Sequence, residues 1–318
     1  LSAAAAVRTR KTAKGLKGAE AGLSRDLATI LTGVVLGTLA RYWMLRRDFR
    51  QYPSYPHAVV THLALGFVAA TLGAVAVPAI AAKEYTAVTF LALAATQFRD
   101  VRNMEREMLV AIDQSSLVSR GPDFIEGIAR TFEARNYLVV FVSLAASLAA
   151  YALSPPCGIL AGVLAMLLVR RFMRGKLIGD IAKVRPAELH FEGANLFVED
   201  IHIMNLGLKE IRRVYEERGR AVILEPLDDN GREILANVGQ RQAIAHDVAA
   251  LLGIHRDVDT AEFTPLLRRK AETGRVGMVI VPIEPDMECL LAAVRNVPVL
   301  ESAFVRPLAA KAGRCAAD

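Results

Sequence analysis

Chemistry in this chain is suggested first by an adjacent histidine and aspartate in its C-terminal half, His246 and Asp247. In metal-dependent phosphohydrolases such a pair supplies ligands to a divalent cation, and further His and Asp residues complete the site. Three other histidines, His190, His202 and His255, do not stand at helical ligand spacings from that pair. One pair alone is a weak signal, and histidines on a helix face or in solvent are the alternative. We predict no metal site.

A second candidate is the polar sequence NVGQRQ, which comes just before that pair. Its Asn, Gln and Arg side chains each make several hydrogen bonds, so they could bind a ligand or a partner protein. The polar face of a surface helix is the alternative interpretation. The residues concerned are Asn237, Gln240, Arg241 and Gln242.

Nucleophiles and phosphate-binding loops are not indicated by the sequence. Cys289 has no recognisable nucleophile context, and the cysteines are too few and too widely spaced for a disulfide framework or a thiolate metal site. Gly274 and Gly277 precede a predicted strand, whereas a loop that cradles phosphate follows one. We therefore predict no catalytic residue, no cofactor and no enzymatic activity.

The elements that must position these residues divide into a membrane part and a soluble part. Of the 318 residues 53% are hydrophobic, and the mean hydropathy of +0.31 exceeds the average of soluble proteins. The net charge of +6 comes from Lys and Arg beside apolar runs, which is typical of membrane helices and not of a nucleic-acid-binding surface. We predict a multi-pass α-helical membrane domain over 25–175, in contact with the lipid bilayer and with no nucleic acid. Its candidate spans are 27–45, 58–82, 85–98, 137–153 and 158–173.

The short run 85–98 decides the number of crossings. At a rise of about 1.5 Å per residue it covers about 21 Å, which is less than a hydrocarbon core of about 30 Å. It either spans a thinned bilayer or forms a re-entrant element. Five crossings are favoured because they place most loop arginines on the cytoplasmic side with the C-terminal domain; a re-entrant run gives four. The basic stretch 1–24 is predicted to be a disordered tail or a mis-called start.

Several residues within the apolar runs are unusual for lipid-facing positions. Arg41, about one turn from the end of its run, is expected to snorkel to the lipid headgroups. His62 could relay protons, but its position near the start of its run favours an interfacial location. Two GxxxG pairs let neighbouring helix backbones approach closely, so they are predicted helix-packing positions: Gly33 with Gly37, and Gly158 with Gly162.

The stretch 121–136 is predicted to be an amphipathic cytosolic helix that continues into the apolar run 137–153. Gly121 ends the preceding helix, and Pro122 suits a first helical turn. Phe124, Ile128 and Phe132 recur every four residues, as on one face of a helix. The candidate partner contacts in this helix and in the polar sequence are Phe124, Ile125, Glu126, Gly127, Arg130, Asn237, Gln240, Arg241, Gln242, His246 and Asp247.

Residues 176–308 alternate between strand patterns and short helices, which is typical of a cytosolic α+β domain. Strands are predicted at HFEG, ANLFVEDIHIMN and AVILEP, with a helix that ends at Gly219 before the last of them. One helix is predicted over 230–253, followed by a second strand, helix and strand over 275–307. Two such series favour a ferredoxin-like arrangement. Residues 309–318 are predicted to be a disordered tail.

The sequence FIEGIA at 124–129 resembles the motif of the YIEGIA family, uncharacterised membrane proteins of endospore-forming bacteria. The resemblance extends over 31–308 through TLARYWMLRRDFRQYPSYPH, HLALGFVAATLGAVAVPA, GQRQAIAHD and VPVLESAF. It implies a cytoplasmic-membrane protein linked to sporulation, with a small capping subunit as partner and no activity attached. Two departures are Phe124, where the family motif has a tyrosine and its phenol hydroxyl, and the basic stretch 1–24.

These patterns together predict a non-enzymatic integral membrane scaffold whose cytosolic domain forms homo-oligomers or docks a small partner. The first alternative is a transporter or channel for ions or small solutes, since small residues and His62 could line a path. No inverted repeat is apparent in the sequence, and no apolar run contains an acidic residue. The second alternative is a membrane-anchored phosphohydrolase that uses His246 and Asp247.

Overall fold

The computed structural model describes residues 2–48, 56–173, 175–255, 263–304 and 311. The chain divides into two compact units. The first, which we call the helical unit, comprises Leu1–Met104 and Ala129–Arg174. The second, which we call the sheet unit, comprises Glu105–Ile128 and Gly175–Asp318.

The N-terminal part of the chain consists of helices. They are α1 (Ser2–Asp48), α2 (Pro56–Ala81), α3 (Tyr85–Asp113), α4 (Pro122–Ala152) and α5 (Pro155–Phe172). The division between the units falls within α3 and α4. As the sequence predicts, the FIEGIA sequence and the following apolar run form one continuous helix, α4. The helix α1 begins at Ser2 and so includes the described part of 1–24.

Among the described residues, three helical stretches are long and apolar enough to cross a bilayer. These are Gly22–Leu45, Val59–Ala81 and Pro122–Ala152. The predicted spans 85–98 and 158–173 are helical, in α3 and α5, but do not belong to this set. The helical N-terminal region with apolar spans is thus as predicted, whereas a count of four or five crossings is not confirmed.

The surface of α1 shows why this region suits a bilayer. Leu27, Leu31, Val35 and Leu39 follow one another at intervals of four residues, and each is 50–55% exposed. A stripe of large apolar side chains along one helix face is unfavourable in water and favourable against lipid chains. Other faces of α1 carry Ala40 and Met44, which are buried in the core of the helical unit.

Close helix contacts in the helical unit occur at the predicted glycine pairs. A Cβ on Gly37 would lie 2.7 Å from the Cβ of Ala70 in α2, and one on Gly33 would lie 2.9 Å from the Cβ of Ala74. In α5, a Cβ on Gly158 would lie 2.6 Å from the Cβ of Ala150, and one on Gly162 would lie 2.6 Å from Leu36 Cδ1. Small residues at these positions let the helix backbones approach one another.

The prediction that Arg41 snorkels to the headgroups is wrong. Its side chain has no exposed surface, and its Nε donates to the carbonyl oxygen of His62 at 3.4 Å. Its Nη2 lies 3.2 Å from Nδ1 of His62, and its guanidinium carbon lies 5.6 Å from the ring centroid of Phe132. Gly66 makes room for this side chain, because a Cβ there would lie 2.7 Å from the Cβ of Arg41. His62 is itself only 4% exposed.

The sheet unit contains seven strands and four further helices among its described residues. The strands are β1 (Ala182–Pro186), β2 (Leu189–Glu192), β3 (Asn195–Val198), β4 (Ile201–Asn205), β5 (Arg220–Pro226), β6 (Leu266–Arg269) and β7 (Val276–Ile280). The helices are α6 (Lys209–Arg218), α7 (Asp229–Ala236), α8 (Val238–Leu252) and α9 (Met287–Arg295). Short 3-10 helices cover Ile178–Asp180 and Glu301–Ala303.

The strands form two antiparallel sheets that share a core. One sheet has the order β1-β5-β7-β6, and the other has the order β2-β3-β4. Gly277 in β7 allows the two sheets to pack closely, because a Cβ there would lie 3.2 Å from the Cβ of Val198 in β3. The shared core contains Leu196, Val198, Ile201, Ile203, Tyr215, Ala221, Ile223, Phe263, Val279 and Val281.

This topology corrects the predicted ferredoxin-like arrangement. After β4 the chain enters α6 and then joins the other sheet as β5, so α6 does not connect two strands of one sheet. In the described residues no strand follows α9; Pro298 makes an isolated bridge with Leu177, and Glu301–Ala303 is a 3-10 helix. The helix predicted over 230–253 is broken at Asn237 into α7 and α8, and β1 and β6 were not predicted.

Candidate functional site

The loop between α3 and α4 is closed by Asp113, the last residue of α3. Its Oδ1 accepts a hydrogen bond from the backbone N–H of Arg120 at 2.7 Å, and its Oδ2 accepts one from Ser119 Oγ at 2.6 Å. The N–H of Gly121 also lies 3.4 Å from Oδ2. Burial raises the pKa of Asp113, but these hydrogen bonds to its charged form outweigh burial and hold the pKa below its ordinary value. The carboxylate therefore stabilises the loop as an acceptor.

Two glycines bring this loop and the first turn of α4 against α8. Gly121 has φ +85°, a conformation that favours glycine, and a Cβ there would come within 3.0 Å of Cδ and Oε1 of Gln242. A Cβ on Gly239 would lie 2.8 Å from Cβ and Cγ of Asp123. The amide of Gln242 also donates to the carbonyl oxygen of Ser119 at 3.4 Å. We call this contact between 113–126 and α8, which lies within the sheet unit, the motif joint.

His246 of α8 is the central side chain of the motif joint. Its Nδ1 lies 2.6 Å from the carbonyl oxygen of Val118, and its Nε2 accepts from Arg120 Nε at 3.0 Å. Because a carbonyl only accepts and the arginine N–H only donates, the ring is neutral with its proton on Nδ1. The Phe124 ring meets it edge-on, with centroids 6.3 Å apart. Burial lowers the pKa of His246 and outweighs the hydrogen bond to Val118, which raises it; the charge of Arg120 lowers the pKa further, and that of Asp113 opposes this.

These hydrogen bonds bear on the possible metal chemistry of the His246 and Asp247 pair. Both ring nitrogens of His246 are already engaged, and Asp247 is half-buried. Within the described ranges, no three His, Cys, Asp or Glu side chains come together in a way that could hold a metal ion. His190 and His202 lie on either side of Phe197 in one cross-strand row of the smaller sheet. A phosphohydrolase site therefore gains no geometric support in the described part of the chain.

The other polar residues of the predicted binding sequence also make internal hydrogen bonds. Asn237 caps α8, with its Oδ1 accepting from the backbone N–H of Gln240 at 2.9 Å. Gln240 is fully buried; its amide donates to Pro298 O at 3.1 Å, and its carbonyl accepts from Leu300 N–H at 2.7 Å. Arg241 donates to two carbonyl groups at the end of α7, at 2.9 and 2.7 Å. These side chains hold α8 to its neighbours.

The structure thus brings together some of the predicted site residues and separates others. Phe124, Gln242 and His246 meet in the motif joint. Ile125 is buried, whereas Glu126 and Gly127 are half-buried, and a Cβ on Gly127 would meet no heavy atom within 4 Å. Arg130 is exposed and belongs to the helical unit.

Sequence reasoning did not select Asp113, Ser119 or Arg120 as residues of the motif joint. The local signal was an aspartate at a helix end followed by a Ser-Arg-Gly-Pro turn, a pattern in which side-chain oxygens bond to nearby backbone N–H groups. The contact of Arg120 with His246 has no local signal, because the two residues are 126 positions apart in sequence.

A shallow groove of about 620 Å³ lies beside the motif joint, between the last turns of α3 and the first turns of α4. Val110, which is 41% exposed, contributes to its apolar lining together with Ala111, Pro122 and Ile125. Its charged lining contains three acidic residues and one basic residue. These are Glu107, Asp123, Glu126 and Arg106.

Comparison with known proteins supplies the family. The model of the family described as YIEGIA protein matches residues 29–310. A relative from Bacillus subtilis (strain 168), the uncharacterized protein YphB, is 44% identical over 285 residues, which cover 90% of this chain and 96% of YphB. No solved structure shows a significant match to the chain. The family match includes both sides of the motif joint, and the chain therefore belongs to the YIEGIA protein family.

Proposed function

We propose that this chain is a non-enzymatic integral membrane scaffold whose C-terminal α+β domain lies in the cytoplasm and docks a partner. The observation that carries the proposal is that polar side chains in and beside the motif joint form hydrogen bonds to other groups of the protein. Asp113, Arg120, Gln240 and His246 make close hydrogen bonds within the sheet unit. A catalytic group needs a donor, acceptor or lone pair directed at a substrate. Side chains that form hydrogen bonds within the protein instead hold the surrounding segments, and therefore the surface, in a fixed position.

The membrane arrangement that we propose has five crossings, with four as the alternative if residues 85–98 are re-entrant. The exposed apolar stripe on α1 and the three apolar helices support a lipid environment. The arginine content of the short loops supports a cytoplasmic C-terminal domain.

The partner surface that we propose is the groove between α3 and α4. Its apolar lining suits an amphipathic segment, and its excess of acidic side chains favours a basic one. The family resemblance supplies one occupant, a small cytosolic capping subunit, and links the assembly to sporulation. A second copy of this chain is the alternative occupant. We favour the capping subunit, because one groove per chain accommodates a small basic partner without requiring self-complementarity.

The experiment is co-purification from detergent extracts of sporulating Bacillus subtilis that lacks YphB and expresses the tagged full chain. Ala111→Trp fills the groove, and Met108→Trp is the matched control, because Met108 is 47% exposed on the same helix but does not line the groove. We expect the wild-type chain and Met108→Trp to recover a stoichiometric small partner, and Ala111→Trp to lose it at least about tenfold, the equivalent of about 1.4 kcal/mol.

Two outcomes count against this proposal. Recovery of monomer without any partner from all three proteins removes the docking function. Equal recovery of partner with Ala111→Trp and Met108→Trp keeps a docking function but removes the groove as its site. Glu107→Lys, which reverses one charge in the groove, should weaken recovery of a basic partner and distinguishes charge from steric effects.

A second candidate function, a transporter or channel, is supported by the pair Arg41 and His62. Ionisable side chains buried within apolar helices mark ion or substrate paths in many membrane proteins. Here the arginine packs against Gly66 and Phe132, an arrangement that also serves helix packing. Ion and solute flux into proteoliposomes decides between transport and helix packing. Flux that is lost in His62→Ala supports transport, and flux equal to that of empty liposomes removes the transport function.

A further inference from the structure

A second cavity of the sheet unit, about 580 Å³ in volume, contains no residue of the motif joint in its lining. It lies where α6 ends and β5 begins, beside the loops that follow α8 and β7. An isolated antiparallel bridge joins these loops at Ile254 and Pro282, and the backbone N–H of His255 donates to Val281 O at 2.8 Å. Backbone hydrogen bonds therefore fix one wall of the cavity.

Two arginines on the wall of this cavity are not neutralised by carboxylates. In the described ranges, neither Arg218 nor Arg220 has an Asp or Glu oxygen within 4.0 Å. By contrast, Arg213 in the same helix as Arg218 pairs with Glu217 at 2.7 Å. Glu217 also lines the cavity, so its charge is compensated by an arginine that does not. Among the described residues, the lining of the cavity thus carries an excess of positive charge.

The donors of these side chains are held in place but only partly used. Arg220 Nε donates to Pro285 O at 3.1 Å, and its Nη1 donates to Gly219 O at 2.9 Å. Two of its five N–H groups are occupied in this way, which leaves three for a ligand. Arg218 Nη1 contacts Nε2 of His255, so the imidazole lies beside the Arg218 guanidinium on the wall of the cavity.

The rest of the lining is apolar. Ile254, Pro282 and Ile283 line the cavity, and Ile283 is 70% exposed although its side chain is large and hydrophobic. Guanidinium groups in a fixed position bind phosphate through paired hydrogen bonds, and an apolar wall beside them binds the organic part of a ligand. The volume lies in the usual range of small-ligand sites, about 300–1,000 Å³.

We propose that this cavity binds the phosphate group of an organic phosphate, with Arg218 and Arg220 as donors and the apolar wall against its organic part. Two sources share this chemistry, a soluble phosphate ester and the headgroup of a phospholipid. The site is independent of the groove, so it holds whether or not a partner docks there.

The test uses the full chain in detergent, with phenyl phosphate as the probe and the ³¹P NMR signal of the probe as the readout. We expect saturable binding with a dissociation constant below about 10 mM. The double variant Arg218→Gln, Arg220→Gln should bind at least about tenfold more weakly, because two charge-assisted interactions are lost. The matched control is Lys209→Gln, which removes a positive charge from the first turn of the same helix, outside the cavity, and should bind like the wild type.

Competition with a second ligand distinguishes a phospholipid headgroup from a soluble phosphate. Displacement by dihexanoyl phosphatidic acid but not by equal inorganic phosphate supports a lipid headgroup, and the reverse supports a soluble phosphate. If the glutamine variant has a lowered melting temperature, the variant Arg218→Lys, Arg220→Lys is measured as well. It should bind phenyl phosphate more tightly than the glutamine variant, because it keeps both positive charges. Failure of phenyl phosphate to saturate, or equal affinity of the glutamine variant and the wild type, overturns the proposal.

Discussion

Replacing Gly121 by alanine should open the loop between α3 and α4. The residue has φ +85°, and the left-handed conformation costs an alanine about 1–2 kcal/mol relative to glycine. The new Cβ would also lie 3.0 Å from two atoms of the Gln242 amide. That amide is the end of a flexible side chain and can move, so the backbone conformation accounts for most of the loss.

Gly127 is the matched control, because it lies six residues further along, inside α4. A Cβ there would meet no heavy atom within 4 Å. Alanine in a helix interior is more stable than glycine by about 0.5–1 kcal/mol, so this substitution should stabilise the same segment. Two glycines of one motif region are therefore predicted to respond with opposite signs.

Hydrogen exchange of the full chain in detergent, followed in peptides that cover 114–128, measures both effects. A loss of 1–2 kcal/mol in the free energy of local opening should make exchange about five- to thirtyfold faster in Gly121→Ala. Gly127→Ala should make it about two- to fivefold slower. Unchanged exchange in Gly121→Ala, or acceleration of similar size in both variants, would refute the account of the motif joint.

Three further predictions concern the sheet unit. The folded state keeps His246 neutral and its pKa is lowered from 6.5, so the unfolded chain binds the proton first as the pH falls. The stabilising contribution of His246 should be complete above pH 6.5 and decrease below it. The melting temperature should therefore fall less between about pH 7.5 and 5.5 in His246→Gln than in the wild type. Gln240→Ala leaves the buried N–H of Leu300 and the half-buried carbonyl group of Pro298 without this partner, and should lower the free energy of unfolding by about 2–4 kcal/mol. Gln242→Ala, which loses a single contact at 3.4 Å, should lower it by less than about 1 kcal/mol. Asp200→Asn removes an ion pair with Arg275 at 2.7 Å and another with Lys270. It should cost about 1 kcal/mol at low salt, a difference that about 1 M salt abolishes in denaturant titrations.

Features that depend on neighbouring residues could be predicted from the sequence. The Gly121–Pro122 start of α4 and the end of α6 at Gly219 are of this kind, since glycine and proline act on the local backbone. The break at Asn237 was also readable, because an asparagine followed three residues later by Gln240 is the pattern of a helix N-terminus. Both flanking stretches are good helix formers, so their propensity alone predicts one continuous helix.

Features that depend on distant residues could not be predicted. The hydrogen bond between His246 and Val118 joins residues 128 positions apart, and neither residue type predicts a contact with the other. Arg41 was expected at the headgroups from its depth in an apolar run, but Gly66 opens a space that accepts its side chain. Gly277 likewise lies inside a strand and not at a turn, and its missing side chain allows the smaller sheet to pack closely at Val198, a residue distant in sequence.

The measurement that tests the central claim most directly is protease treatment of intact cells that express the chain with a C-terminal tag. If the first half lies in the membrane and the sheet unit lies in the cytoplasm, the tagged protein should sediment with membranes after alkaline carbonate extraction and should stay intact until the cells are opened. Recovery of the full-length chain in the soluble fraction, or removal of the tagged half by protease outside intact cells, would contradict the account.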